Sequence, residues 1–342
     1  MFSDFSSNVT LAKTRAMFGR RIKKTDYDAL LNCKSVFEIA SYLKHNTAYS
    51  KTLANINESE IHRAELEAVI RNKPLDDLAT LLRYEIASGD ALANYLIAKA
   101  EIEQIVHALV HLAAPHHCEA FRIVPTLLAK NSKIKMSFLF NAKTFEELLG
   151  ALRNSPYKKL LKDLKVDTDG KFNLTEAEYI LYNYLYSILF NSFNKIADKK
   201  AREQLNSIFK TYINFGNFVR IVRNRRHKNN FNDFIVLNYG SIPDTHLENM
   251  LSATTEDEIF KIMKSIPQGY MLKRIEHNYL EQIPLIALYQ KCRHAVYFST
   301  NTQVILNAYI FLMENELYNV IKIIEGIRYS LPKDEIFKLL IL

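Results

Sequence analysis

The sequence predicts an all-α protein built from three similar helical units, and three observations carry that prediction. Glycine and proline are scarce, at 8 each, where average usage would supply roughly 24 and roughly 17 at this length. A chain so short of turn residues makes few hairpins and no glycine-rich phosphate loop. Helix-start signals recur at a near-constant interval, and apolar residues follow a 3.6-residue period over long stretches. With 48% apolar and 24% charged residues, the 342-residue chain is globular and long enough to bury a sizeable core.

The recurring start signal is a capping box, in which a hydroxyl accepts from one unpaired helix N–H and a glutamate three residues on reaches back to another. Ser35–Glu38, Thr144–Glu147 and Thr255–Glu258 stand 109 and 111 residues apart. Each Glu is followed by an apolar residue (Ile39, Leu148, Ile259), and four residues later by Leu or Met and a base (Leu43-Lys44, Leu152-Arg153, Met263-Lys264). Twelve residues past the caps come Thr47, Pro156 and Pro267, each close to a tyrosine (Tyr49, Tyr157, Tyr270). Proline there ends a helix. Another box, Asn173–Glu176, falls outside this register.

A second signature follows each box, an acid or amide with Asn or Gln three residues on and then two apolar residues. It reads Glu101-x-x-Gln104-Ile105-Val106, Asn214-x-x-Asn217-Phe218-Val219 and Glu316-x-x-Asn319-Val320-Ile321, at offsets of 66, 70 and 61 residues from the boxes. Two signatures in one order predict three pseudo-repeats, divided as 1–143, 144–254 and 255–342. Gly326–Leu339 (GIRYSLPKDEIFKL) is echoed by Gly19–Leu31 (GRRIKKTDYDALL), so residues 1–34 are expected to complete the closing unit. Two uncharged stretches, Tyr179–Asn194 and Ala295–Met313, are too short or too polar to cross a bilayer and read as buried helices.

Charge and motif content then restrict function. Lys+Arg of 45 against Asp+Glu of 37 gives +8, which suits an acidic partner, an anionic membrane surface or nucleic acid. Cys33, Cys118 and Cys292 form no CxxC pair and predict a reducing compartment, and the N-terminus has no secretory apolar core. GxGxxG, GxxxxGK[ST] and GxSxG are all absent, so no nucleotide hydrolysis or serine nucleophile is expected. His107 and His111 share a helix face with Glu103, and His116, His117 and Cys118 follow. That set is the best zinc candidate, and it lacks the HExxH base. Arg220, Arg223, Arg225, Arg226 and Lys228 form the densest basic cluster, with Phe231 and Phe234 beside it, and Arg15, Arg20, Arg21, Lys23 and Lys24 form a second.

The combined pattern resembles the family of the C-type stalk component of V/A-type rotary ATPases, the d component of the eukaryotic enzyme. At the start, Leu43-Lys44-His45-Asn46-Thr47-Ala48-Tyr49 looks like the family's L-x-x-T-x-Y segment. At the end, Glu316, Asn319, Ile323, Gly326, Leu331, Pro332 and Glu335 match E-x-x-N-[IL]-[RK]-x-I-x-x-G-x-x-x-G-L-P-x-E-x-I. Gln104, Asn214 and Ser330 depart from the family's usual Asn, acid and Gly, and Ile321 and Lys322 shift the basic position by one. The resemblance implies three helical domains in a pseudo-threefold funnel, on the cytoplasmic face of the membrane proteolipid (c/K) ring, gripping D/F-type central stalk subunits. It implies a peripheral, non-catalytic monomer within a hetero-complex, with no cofactor, no metal, no nucleic acid and no small-molecule substrate. With repeat position, it marks Arg15, Arg20, Gln104, Asn217, Arg220, Arg223, Asn319 and Lys322 as candidate stalk or ring contacts. The alternative readings are a helical repeat scaffold binding nucleic acid through Arg220–Lys228, and a zinc hydrolase using His107, His111 and His116 or His117.

Overall fold

A computed structural model of the chain describes residues 2–82, 89–113, 132–167, 170–226, 234–273 and 279–342. Among the described residues every regular element is a helix, and the one β-contact is an isolated antiparallel bridge between Val166 and Phe172. No helix among them is long and apolar enough to cross a membrane.

All three capped helices form where their boxes place them, over Val36–Asn46, Phe145–Ala151 and Glu256–Ser265. The cap hydroxyls of Ser35, Thr144 and Thr255 accept from the backbone N–H of Glu38, Glu147 and Glu258 at 3.2, 3.2 and 3.3 Å. The returning bond differs from expectation. Glu38 and Glu147 accept from the N–H of Lys34 and Lys143, one residue before the cap, both at 2.8 Å. Only Glu258 also reaches its own cap N–H. The tyrosines that follow divide as well: Tyr49 and Tyr157 are buried, whereas Tyr270 is exposed and Met271 takes the inward place.

Three long helices, Gly89–Ala113, Lys199–Arg226 and Thr302–Arg328, carry the second signature. Each of the first two packs against elements that follow it in the chain. The first receives Phe145–Ala151 and Leu174–Asn194, and the second receives Glu256–Ser265 and Ile283–Phe298. The third is followed by one short helix, Lys333–Lys338, and it receives the head of the protein as well. Val36–Asn46, Arg63–Ile70, Lys73–Leu82 and the N-terminal helix Phe2–Gly19 all lie on it. The echoed segments meet there, with helix Lys24–Leu31 against Lys333–Lys338 and Lys333 Nζ donating to Asn32 Oδ1 at 2.9 Å. One buried core accordingly joins Ile22, Leu30, Leu43 and Leu66 to Val320, Ile323, Ile324 and Ile336.

The stretch 295–313, expected as one buried helix, is two. Helix Ile283–Phe298 ends, and Asn301 caps Thr302–Arg328 by accepting from the N–H groups of Gln303 and Val304 at 3.0 and 3.3 Å. A residue that satisfies two unpaired amides makes a new start cheaper than continuing.

The last long helix stops in a Schellman motif. Leu331 N–H donates to Gly326 O at 2.9 Å and Ser330 N–H to Ile327 O at 3.1 Å, which puts Ser330 at φ 54°. Ser330 thus occupies the left-handed position where glycine is usual. Gly326 has a different reason to lack a side chain, since a Cβ there would lie 2.5 Å from Ile336 Cγ1. Ser330→Gly is expected to raise stability by about 0.5–1 kcal/mol, read as a higher urea midpoint. Gly326→Ala is expected to lower it by about 1–3 kcal/mol by forcing Ile336 outward.

Candidate functional site

The second signature places a carboxamide inside each long helix, and its chemistry is visible in the last two. Asn217 Oδ1 accepts from Leu237 N–H at 2.8 Å while its Nδ2 donates to Leu237 O at 2.9 Å. Asn319 does the same to Ile341, at 2.9 and 2.8 Å, and its Nδ2 also reaches Tyr27 Oη at 3.3 Å. Each amide clasps both backbone groups of one residue on a non-helical segment 20 or 22 residues downstream. Gln104, the first-unit counterpart, is buried, and its Oε1 has no hydrogen-bond partner among the described residues.

The residue three places earlier supports each clasp. Asn214 Oδ1 accepts from Ser241 N–H at 2.7 Å and its Nδ2 donates to Gln268 Oε1 at 2.6 Å. Only glycine fits at position 240 beside it, because a Cβ on Gly240 would stand 2.8 Å from Asn214 Oδ1. Glu101 accepts from Tyr157 Oη at 2.7 Å. Glu316 reaches across the chain ends and accepts from Ile22 N–H at 2.7 Å, although 294 residues separate them. Burial dominates its titration and lifts its carboxyl to about 7, opposed by the Ile22 N–H and Lys73.

Beside this junction a cavity of about 710 Å³ opens between the N-terminal helix, the turn at 19–25, residues 46–51 and helix Lys73–Leu82. Arg20, Arg21, Lys23 and Lys51 line it, with Lys13 and Lys73 further in, against two carboxylates, Asp26 and Asp77. Both carboxylates are engaged within the fold. Asp77 receives hydrogen bonds from Lys73 Nζ and, at 2.7 Å, from Tyr309 Oη. Asp26 receives Lys23 N–H at 2.8 Å and Tyr42 Oη at 3.0 Å. Neither Lys51 nor Tyr309 carries any recognisable motif, and the only local signal for the buried pair is the four-residue spacing of Lys73 and Asp77.

The remaining candidates lie apart. Arg15 Nη2 donates to Ser299 O at 2.8 Å, tying the N-terminal helix to the break before the last long helix. Lys322 pairs with Glu325 at 2.9 Å in a separate cleft between the first and third long helices, where Lys99 and Glu314 meet at 2.6 Å. In the densest basic cluster Arg220 faces Glu178 at 3.7 Å and Arg223 faces Glu281 at 4.0 Å. Arg225 donates to Leu251 O at 3.1 Å, and Arg226 grips both oxygens of Glu256 at 2.8 and 2.9 Å. Four arginines already engaged within the fold make a poor phosphate-backbone surface; Lys228 and Phe231 lie outside the described residues. His107 and His111 are on the first long helix, but His116, His117 and Cys118 lie outside the described residues. Among the described residues no group of three or more potential metal ligands occurs.

The family model described as ATP synthase (C/AC39) subunit matches residues 10–339. The C-type component of the A-type ATP synthase of Methanosphaera stadtmanae is 24% identical over 216 residues, 62% of this chain. The match spans 52% of that relative, about half its length.

Two consequences are measurable. Asn319→Ala strips both backbone groups of Ile341 of their partner and is expected to cost about 2–4 kcal/mol in urea unfolding. Because Glu316 is held above its unfolded value of 4.5, the folded chain binds the extra proton. Stability contributed by this group is therefore full below about pH 4.5 and lost as pH rises to about 7, by on the order of 3 kcal/mol. Glu316→Gln should flatten that part of the stability–pH curve, as followed by thermal unfolding from pH 4.5 to 8.

Proposed function

The chain belongs to the ATP synthase (C/AC39) subunit family, and on that premise we propose that it is a non-catalytic central-stalk subunit of a V/A-type rotary ATPase. It joins the rotor shaft to the membrane proteolipid ring, so that ATP-driven or ATP-forming cation transport passes mechanically through it. Its three helical modules form a pseudo-threefold funnel on the cytoplasmic face of the membrane, peripheral to it, with D/F-type stalk subunits seated in the funnel.

The observation that best supports a mechanical role is the closure of the chain on itself. Glu316 holds Ile22, Asn319 holds Ile341 and Tyr27, and a shared core joins head to tail. A body that transmits twist is weakest at a loose segment, which peels under load. Here head and tail segments are buried against each other. The exposed, long ion pairs of Arg220 and Arg223 are weak, so those arginines can exchange Glu178 and Glu281 for carboxylates of an acidic partner.

Affinity purification from native membranes tests the reading. The tagged chain is expected to bring down the proteolipid ring and the stalk subunits, and recovery of neither would overturn it. Arg220→Glu with Arg223→Glu should weaken stalk association roughly tenfold and reduce its salt dependence, measured by surface binding at 50 and 300 mM salt.

A further inference from the structure

We propose that the basic cavity beside the head-to-tail junction is a binding site for an oligophosphate anion. Six cationic side chains line it and two carboxylates oppose them. Those carboxylates do not neutralise the mouth, because Asp77 is bonded by Lys73 and Tyr309 and Asp26 by Lys23 N–H and Tyr42. Arg20 and Lys51 make no ion pair among the described residues and are exposed at the opening with Lys23. Uncompensated like charges facing one space repel, and a multivalent anion removes that repulsion.

The geometry favours phosphate in particular. Arg21 is fixed in place, its guanidinium 4.0 Å from the Phe18 ring centroid and its Nη1 donating to Phe18 O at 3.1 Å. Most of its donor fork remains available, and a pre-positioned guanidinium suits phosphoryl oxygens. The hydroxyls of Thr25, Ser50 and Thr80 lie on the same walls. The volume of about 710 Å³ falls within the usual range of small-ligand sites. A nucleoside is a poorer fit: the aromatic residue in the lining, Tyr309, is buried with its hydroxyl committed to Asp77, which leaves no ring face for a base. The shared chemistry is a chain of two or more phosphates, either free or carried on a lipid headgroup.

Calorimetric titration of the full chain with pyrophosphate in 100 mM salt is the test. Saturable one-to-one binding that weakens with added salt is expected, and Arg20→Glu with Lys51→Glu should lower affinity at least roughly tenfold. Both residues are exposed, so the variant should unfold at the wild-type temperature. Lys135→Glu, in a different basic groove, should bind as wild type. Flotation with phosphatidic acid in phosphatidylcholine vesicles separates the sources. Flotation that pyrophosphate competes away and the double variant loses assigns the site to a lipid phosphate. Pyrophosphate binding without flotation assigns it to a free anion. Neither heat nor flotation, or binding that the double variant retains, overturns the proposal.

Discussion

An extended segment in a protein without a sheet has no ladder on which to place its backbone polar groups, yet burial requires that they be paired. In this molecule a single carboxamide supplies the missing rung. Asn217 and Asn319 each offer one acceptor and one donor in the geometry a neighbouring strand would present, and each fastens one residue of the following segment to the long helix. Asparagine is a poor helix former, and a place in the middle of a 27- or 28-residue helix is costly for it on propensity alone. The tertiary bonds outweigh that cost, because losing them leaves two buried groups unpaired rather than one.

The same logic accounts for the difference between the units at the preceding position. In the second unit Asn214 serves a serine that both gives and takes hydrogen bonds, and an amide matches it. In the third, the target is the backbone N–H of Ile22, a pure donor, and a carboxyl is present. With Lys73 close enough to oppose its protonation but already bonded to Asp77, Glu316 is left only partly compensated, which is why its acidity moves toward neutrality.

Much of the architecture is legible in the residues because it is local. The three capping boxes, the 3.6-residue period and the Gly-x-x-x-x-Leu-Pro ending each act within a turn or two of helix, so spacing alone exposes them. What is not legible is whatever depends on distant partners. Asn217, Asn319 and Gln104 read as surface contacts from repeat position, and all three side chains are buried in the chain itself. The arginines of 220–226 look like a free cluster in sequence because Glu178, Glu256 and Glu281 come from three other segments. The cavity draws its cations from four separate stretches, and no one-dimensional pattern links Lys51 to Arg20. Ser330 is a mixed case, since the departure from glycine is visible in sequence but the backbone conformation that makes it matter is not.

Closure of head on tail also fixes the order in which the molecule can be made. Helices Val36–Asn46 and Arg63–Ile70 find their cover on Thr302–Arg328, which leaves the ribosome more than two hundred residues after them. Through that interval Leu43, Leu66 and Ile70 have nothing to bury against, although the middle of the protein can already assemble. Contacts spanning nearly the whole polypeptide are slow to form. The nascent N-terminal third must wait with its apolar faces open, a substrate for chaperones until Thr302–Arg328 emerges.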